Sequence, residues 1–226
     1  MKIEELFAEA EQPDFIDISA NIPWTCFVPI NSAESNYSLC YSQLTPNEKH
    51  RAERFTHQGA KQQFVMAHGI LNHVLSKHLK IEVARINFKE TEHHKPFATL
   101  PDGSRPLEFN ISHCSEWVAL IVADQPVGID IEGHRPMDDM RGVAEIVFTE
   151  KERDAIFSSD STGDTELFFR HWSCKEAYLK AEGTGFMKEP KSIEMDFDPS
   201  SDSEGPIVWW SDAIPGHSLA WSERPS

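Results

Sequence analysis

The sequence predicts an α+β fold of two similar subdomains, each a long helix packed on a small, mainly antiparallel sheet. Three observations predict it. A long helical pattern followed by three strand-like segments occurs twice along the 226 residues. Gln125-Pro126 interrupts the chain between the two occurrences. Each half, of about 110 residues, has the size of a small domain. We therefore expect subdomains at residues 1–125 and 126–226, related by a pseudo-two-fold.

In the first half, a strand over Trp24–Ile30 precedes two helices. Thr45-Pro46-Asn47-Glu48 is a capping box with proline at the first helical position, so a helix is predicted from there to about Phe55. A second helix is predicted from apolar residues spaced three and four apart, which define one buried face. These residues are Phe64, Ala67, Ile70, Leu71, Val74, Leu75 and Leu79.

Three strands are predicted after these helices, over Ile86–Lys89, Leu107–Ser112 and Trp117–Ala123. The segment between the first two contains several residues that interrupt regular structure, so we expect a loop there. These residues are Pro96, Pro101, Gly103 and Pro106.

The second half repeats the order. A strand is predicted over Pro126–Glu132, and Thr149-Glu150-Lys151-Glu152 is another capping box. A long helix is predicted over Asp164–Glu182, which Gly183 should end. Strands are then predicted over Ile193–Phe197, Ile207–Trp210 and Leu219–Trp221.

Charge disfavours two classes of partner. The chain has 21 Lys and Arg against 37 Asp and Glu, which gives a formal charge of −16. A nucleic-acid-binding protein needs a basic surface, and an anionic membrane would repel an acidic one. We therefore expect neither nucleic acid nor membrane as a partner.

The chain is also expected to be cytoplasmic. Its start, Met-Lys-Ile-Glu-Glu, lacks the basic and apolar pattern of a signal peptide. The longest apolar run, Trp117–Ala123, is far shorter than the ~20 residues of a membrane-spanning helix. The four cysteines are scattered without zinc-binding spacing, which is typical of reduced thiols.

Two carboxylates are predicted to share one face of the strand that opens the second half. Because side chains alternate along a strand, Asp130 and Glu132 should lie opposite Ile129 and Ile131. Their Cα atoms should be ~7 Å apart, close enough for both carboxylates to reach one cation. The alternative is a half-buried strand with a solvated acidic face.

The long helix of the second half carries more charged residues. Trp172, Lys175, Glu176 and Lys180 are predicted at neighbouring positions of one face. The alternative is a surface helix with a Glu-to-Lys pair, worth a few tenths of a kcal/mol. With His113 at the end of a predicted strand, these groups suit a hard cation that bridges the protein to a phosphate, as Mg²⁺ does.

The arrangement of these motifs resembles the 4′-phosphopantetheinyl transferases of the surfactin-synthetase type. The motif Gly128-Ile129-Asp130-Ile131-Glu132 is followed about forty residues later by Trp-x-x-Lys-Glu-Ala-x-x-Lys, over Trp172–Lys180. Upstream, Lys95-Pro96 and Phe109–His113 match the same family. The resemblance extends from about Thr45 to Gly185.

The resemblance implies an activity and a set of site residues. Such enzymes transfer the phosphopantetheine arm of coenzyme A to a serine of an apo acyl or peptidyl carrier protein and release 3′,5′-ADP. Asp130, Glu132 and Glu176 would hold Mg²⁺, with Mn²⁺ as an alternative. Glu176 would also be the base for the serine, and Lys180 would stabilise or protonate the leaving phosphate. The residues implied to bind the coenzyme's phosphates are Arg51, Lys61, Lys95, Ser112, His113 and Lys175.

The chain departs from the family at several positions. Gln63, His68 and Asn72 occur where the family's long first helix usually carries arginines, so phosphate contacts there should be weaker or shifted to Lys61. His94 stands before Lys95-Pro96 in place of the usual glycine, which predicts a different loop shape.

Other interpretations remain open. A Mg²⁺-dependent nuclease also uses an Asp-x-Glu pair with a lysine, although the acidic charge disfavours it. A coenzyme A or carrier-binding module without catalysis is a third class. We expect a monomer. Either carrier docking or core packing would explain a mixed apolar and basic segment after the acidic strand. That segment contains Arg135, Met137, Met140, Arg141, Val143 and Phe148.

Overall fold

The structure, a computed structural model, describes residues 16–17, 23–30, 34–158, 163–183, 188–195 and 207–224. The chain divides into two units, unit 1 at residues 1–125 and unit 2 at residues 126–226. Both units combine helices with antiparallel strands, so the predicted α+β fold class is confirmed.

Unit 1 contains two sheets. In the larger sheet the strands are ordered β1-β2-β6-β5, and all neighbours are antiparallel. Its strands are β1 (Ile16–Asp17), β2 (Trp24–Pro29), β5 (Glu108–His113) and β6 (Trp117–Ala123). The smaller sheet pairs β3 (Asn87–Glu90) with β4 (Pro96–Thr99). All four strands predicted in this half therefore exist within one residue of their expected bounds.

The helices of unit 1 are α1 (Glu34–Ser42), α2 (Pro46–Glu53) and α3 (Gln58–Leu79). The predicted capping box of α2 is confirmed, because Thr45 accepts from the Glu48 backbone and Glu48 accepts from the Thr45 backbone. The predicted apolar face of α3 is buried in the core of unit 1, with Leu79 at its margin. Strand residues such as Val28, Leu120 and Val122 belong to the same core, so α3 packs on the larger sheet.

Two elements of unit 1 differ from the prediction. The loop predicted between Lys89 and Leu107 contains β4, which begins at Pro96. Proline is tolerated at the first residue of an edge strand because the strand end needs no backbone donor there. Helix α1 was not predicted, since its sequence Glu-Ser-Asn-Tyr-Ser-Leu-Cys-Tyr-Ser has no apolar helical periodicity.

The described residues of unit 2 form one sheet, with strand order β7-β9-β8 and antiparallel neighbours. Its strands are β7 (Val127–Gly133), β8 (Val208–Ser211) and β9 (His217–Glu223). Its helices are α4 (Met140–Val147), α5 (Glu150–Ile156) and α6 (Thr165–Glu182). As predicted, Thr149 and Glu152 form a capping box and α6 ends at Gly183, whose φ of 72° lies in the left-handed region.

Two expectations for unit 2 are corrected. Residues 193–195 form no strand, and the rest of the predicted strand Ile193–Phe197 lies outside the described residues. The mixed segment after β7 mainly builds the core of unit 2. Met140 and Phe148 are buried there, and Met137 and Val143 pack against it. For these apolar residues the structure favours the core interpretation, because two of them are buried and the other two contact the core.

A buried ion pair joins α5 to α6. The Lys175 Nζ lies 2.8 Å from Glu152 Oε2, and both side chains are 1% exposed. The other carboxylate oxygen of Glu152 accepts from the Met195 backbone N–H at 2.7 Å. Glu152 therefore has two functions, since it caps α5 and neutralises a lysine in the interior.

Within the described residues, no helix is both long and apolar enough to cross a membrane. Cys26, Cys40, Cys114 and Cys174 form no disulfide bonds.

Replacing Lys175 with methionine should destabilise unit 2. The change leaves the Glu152 carboxylate buried without its cation, which typically costs about 3–5 kcal/mol. Urea unfolding followed by circular dichroism should show a clearly lower midpoint. Lys151→Met is the matched control, because it removes only an exposed pair with Glu194. Equal midpoints for the two variants would contradict a stabilising role for the buried pair.

Candidate functional site

Helix α6 lies directly against strand β7 at Gly128. A β-carbon at this position would be 2.0 Å from the Ala177 carbonyl oxygen and 2.4 Å from the Ala181 backbone nitrogen. Both atoms are backbone, so neither could move away to accommodate a larger residue. Glycine at this position therefore brings the acidic face of β7 within reach of the α6 side chains.

The first contact along this face is between Lys180 and Asp130. The Lys180 Nζ lies 2.6 Å from Asp130 Oδ1 and donates to the Ile129 carbonyl at 3.2 Å. Asp130 is only 4% exposed, and Ile129 and Ile131 are buried on the opposite face. The alternative of a solvated acidic face is therefore wrong for Asp130.

Glu176 lies in the electrostatic field of the same groups. Burial raises the pKa of the Glu176 carboxyl, and the negative charges of Asp130 and Glu132 raise it further, against an opposing effect of Lys180. Glu132 is half-buried and forms an ion pair with Arg135 at 3.0 Å. The structure thus groups Asp130, Glu132, Glu176 and Lys180 around one partly desolvated surface of unit 2.

The donor set of this surface is suited to a hard cation. Mg²⁺ binds through one or two carboxylates together with phosphate oxygens, and all three acidic side chains supply oxygen ligands. Their mutual repulsion, expressed in the raised pKa of Glu176, would be relieved by a positive charge. In the part of the chain that the structure describes, no three His, Cys, Asp or Glu side chains are already close enough to hold a metal.

Lys175 lies elsewhere. Its ammonium contacts Glu152, donates to the Pro190 carbonyl at 2.9 Å and also donates to the Ile193 carbonyl. These three acceptors use all three N–H donors, and the side chain is buried. The implied phosphate-binding role of Lys175 is therefore corrected to a structural one, because no donor remains for a phosphate.

In unit 1, Ser112 and His113 form the end of β5. Ser112 is buried and His113 is exposed. The Gln63 side-chain amide donates to the Cys114 carbonyl at 2.8 Å, which ties this end of β5 to α3. Gln63, one of the departures from the family, thus supports the backbone directly after His113.

Lys95 lies between β3 and β4. Burial lowers its pKa to about 8, although the nearby Glu108 carboxylate opposes this effect. Glu108 begins β5, the strand that ends with Ser112 and His113. His94 has a φ of 60°, in the left-handed region, so the loop keeps a conformation that glycine favours despite the predicted difference in shape.

Arg51 and Lys61 are on α2 and in the first turn of α3, respectively. The Arg51 guanidinium lies 4.9 Å from the centre of the Phe64 ring. Within the described residues, neither cation forms an ion pair with a carboxylate. Both are therefore available to an anionic ligand.

Sequence reasoning missed several residues that support these positions. The sequence does not predict that a side chain at position 128 would collide with the α6 backbone. It also does not predict the pairing of Glu152 with Lys175. The sequence predicts weaker phosphate contacts at His68 and Asn72 than the family's arginines would make. In the structure both side chains instead form hydrogen bonds to Glu48. The capping boxes predicted that Glu48 and Glu152 lie in the first turn of a helix. Their hydrogen-bond partners outside the capping boxes are 20 or more residues away in sequence and were not predicted.

Comparison with known proteins places both units in one family. Residues 126–223 match the model of the 4′-phosphopantetheinyl transferase superfamily. Residues 30–125 match the model described as 4′-phosphopantetheinyl transferase, N-terminal.

Individual relatives agree. The chain is 32% identical over 163 residues to the 4′-phosphopantetheinyl transferase HetI of Nostoc sp., covering 71% of this chain and 68% of the relative. It is 28% identical over 158 residues to the transferase Sfp of Bacillus subtilis, covering 70% and 67%. A Xenopus laevis protein named L-aminoadipate-semialdehyde dehydrogenase-phosphopantetheinyl transferase is 28% identical over 184 residues, covering 77% and 61%. The resemblance of the motifs is thereby confirmed, and this chain belongs to the 4′-phosphopantetheinyl transferase superfamily.

Proposed function

We propose that this protein transfers the 4′-phosphopantetheine arm of coenzyme A to a serine of an apo acyl or peptidyl carrier protein. The products are the holo carrier and 3′,5′-ADP, and the reaction depends on Mg²⁺. The observation that supports this most directly is the buried Asp130–Lys180 pair beside Glu176, whose carboxyl pKa is raised. Membership of the transferase superfamily supports the reaction class.

Asp130, Glu132 and Glu176 would hold the metal. When bound, Mg²⁺ supplies positive charge to the pyrophosphate of coenzyme A. Phosphoryl transfer is accelerated mainly by in-line positioning and charge neutralisation, so a carboxylate surface without a cation would repel the substrate. The partly desolvated setting of the three acids strengthens electrostatic interactions with such a charge.

Glu176 is the proposed base for the carrier serine, directly or through a water. The hydroxyl proton would pass to a carboxylate oxygen as the serine oxygen bonds to phosphorus. A bound cation would oppose the burial that raises the pKa of the Glu176 carboxyl, so its suitability as the base rests on its position beside Asp130 and Lys180. A positioned base typically contributes about 10²–10⁴-fold.

Lys180 is the proposed partner of the leaving group. As the P–O bond breaks, negative charge develops on the departing 3′,5′-ADP phosphate, and the ammonium would stabilise or protonate it. Its contact with Asp130 and the Ile129 carbonyl fixes the Nζ beside Glu176. A preorganised cation of this kind needs little rearrangement during the reaction.

Unit 1 is proposed to supply the coenzyme's phosphate contacts and unit 2 the catalytic groups. Lys175 is not among the proposed phosphate contacts, because its three N–H donors are already used within the protein. The remaining residues are Arg51, Lys61, Lys95, Ser112 and His113. In an acidic chain these local cations would determine where a phosphate binds. We further propose a cytoplasmic monomer.

Intact-protein mass spectrometry tests the reaction. The protein is mixed with coenzyme A, Mg²⁺ and several apo carrier proteins, beside a chelated control. A phosphopantetheine mass gain that disappears with chelator is the expected result. If no carrier gains mass while coenzyme A still binds, the binding-module alternative is favoured and the transferase proposal fails.

Glu176→Gln should lower turnover at least about a hundredfold while coenzyme A affinity changes only a few-fold, because the amide cannot accept the serine proton. Steady-state kinetics and calorimetry measure the two quantities. Glu166→Gln is the control, since Glu166 lies on the same helix but is exposed and paired with Arg170. Near-normal turnover of Glu176→Gln would exclude Glu176 as the base.

Coenzyme A affinity should fall as pH rises through about 8. The Lys95 ammonium is charged below its pKa of about 8 and loses its proton above it, so its attraction for a phosphate weakens there. Calorimetry between about pH 7 and about pH 9 measures this. Lys95→Gln should bind more weakly and lose this part of the pH dependence. Lys89→Gln, an exposed control on β3, should retain it; identical profiles for both variants would contradict the role of Lys95.

A further inference from the structure

Two buried side chains attach helix α2 to unit 1. Of its eight residues, Glu48 and Ala52 are buried, and the others are half-buried or exposed. Isolated helices shorter than about 12–15 residues are marginal in water, so α2 depends on contacts with the rest of the unit. The contacts of Glu48 therefore largely determine where α2, and Arg51 on it, is placed.

The Glu48 carboxylate accepts hydrogen bonds from two directions. Within the capping box, the Thr45 N–H and hydroxyl both donate to Oε2 at 2.8 Å. From α3, Asn72 Nδ2 donates to the same oxygen at 2.7 Å, and His68 Nδ1 lies 2.8 Å from Oε1. A carboxylate only accepts, so His68 carries its proton on Nδ1. The carboxylate thus fastens the start of α2 to the middle of α3.

A second contact joins the same two helices one turn further along. The Arg51 guanidinium lies 4.9 Å from the centre of the Phe64 ring, and the Phe64 and His68 rings lie 4.2 Å apart. Residues 48 and 51, and residues 64 and 68, are neighbours on their respective helices. Glu48, Arg51, Phe64 and His68 therefore form a closed set of contacts, which we call the α2–α3 clamp.

The clamp leaves the donors of Arg51 available. A guanidinium that stacks on an aromatic ring uses its face, while its N–H groups point outward in its plane. Arg51 is exposed and, within the described residues, has no carboxylate partner. The contact with the Phe64 ring restricts a long side chain that would otherwise sample many rotamers.

We propose that His68 and Phe64 are positioning residues, which hold Arg51 in the orientation that binds a phosphate of coenzyme A. This inference rests on the proposed function, which includes Arg51 among the phosphate contacts. It gives a role to His68 at a position where an arginine was expected. The histidine does not replace a phosphate contact but maintains one supplied by α2. The effect should appear in coenzyme affinity and not in the chemical step.

Calorimetric titration with coenzyme A tests the clamp in His68→Leu, Arg51→Gln and the double variant. His68→Leu should raise Kd about fivefold or more and raise KM, with kcat within about twofold. Because His68 acts through Arg51, the double variant should bind no more weakly than Arg51→Gln alone. His78→Leu is the matched control, since His78 is an exposed α3 residue that bonds only to the Val74 carbonyl, and its Kd should be unchanged.

His68→Asn separates positioning from general stability. The asparagine Nδ2 can occupy the place of the histidine Nδ1 and restore the bond to Glu48, so its Kd should lie closer to the unchanged protein's than that of His68→Leu. If His68→Leu fails to fold, the Kd of His68→Asn is compared with that of the unchanged protein instead. A higher Kd for His68→Asn than for His68→Leu would overturn the inference.

Other outcomes are equally decisive. If Arg51→Gln weakens binding and His68→Leu does not, the clamp is wrong and the proposed function stands. Fully additive effects in the double variant would also overturn the clamp. If the unchanged protein binds coenzyme A but modifies no carrier, the proposed function fails, and the binding data still decide the role of His68.

Discussion

The close approach of α6 to β7 at Gly128 is the constraint on which the proposed catalytic surface depends. Because backbone meets backbone there, Asp130 is nearly excluded from water and Glu176 is partly desolvated. Burying acids raises the energy of their charged forms, and Lys180 compensates by pairing with Asp130. The close contact at Gly128 thus holds the acidic face of β7 against α6, where its carboxylates form a negative surface suited to a cation.

The two units attach a short helix to a long one by the same device. In unit 1 the capping-box Glu48 of α2 accepts from His68 and Asn72 of α3. In unit 2 the capping-box Glu152 of α5 pairs with Lys175 of α6. In each case the third helical residue both completes its own helix start and supplies a buried acceptor. The shared device is a physical counterpart of the similar sequence order in the two halves.

Local sequence signals predicted much of the fold. Contacts between residues far apart in sequence were mostly not predicted. The capping boxes and Gly183 marked helix ends correctly, because these depend on a few adjacent residues. The β4 strand was missed, since its pairing with β3 outweighed the proline that suggested a loop. The acidic pair and Glu176 were identified from spacing and family motifs. The partners of His68 and Lys175 were not identified from the sequence. These contacts depend on burial in the folded chain, which no local sequence pattern reveals.

Lys175 and Lys180 show how two lysines on one helix come to have different roles. They are five residues apart on α6, which places them about 140° apart around the helix axis. Lys180 meets Asp130 on β7, while Lys175 enters the interior beside α5. Both lysines pair with a carboxylate, yet only Lys180 remains partly exposed. A lysine with its three donors already satisfied stabilises the fold, whereas one at the edge of a desolvated acidic surface can exchange its partner for a phosphate.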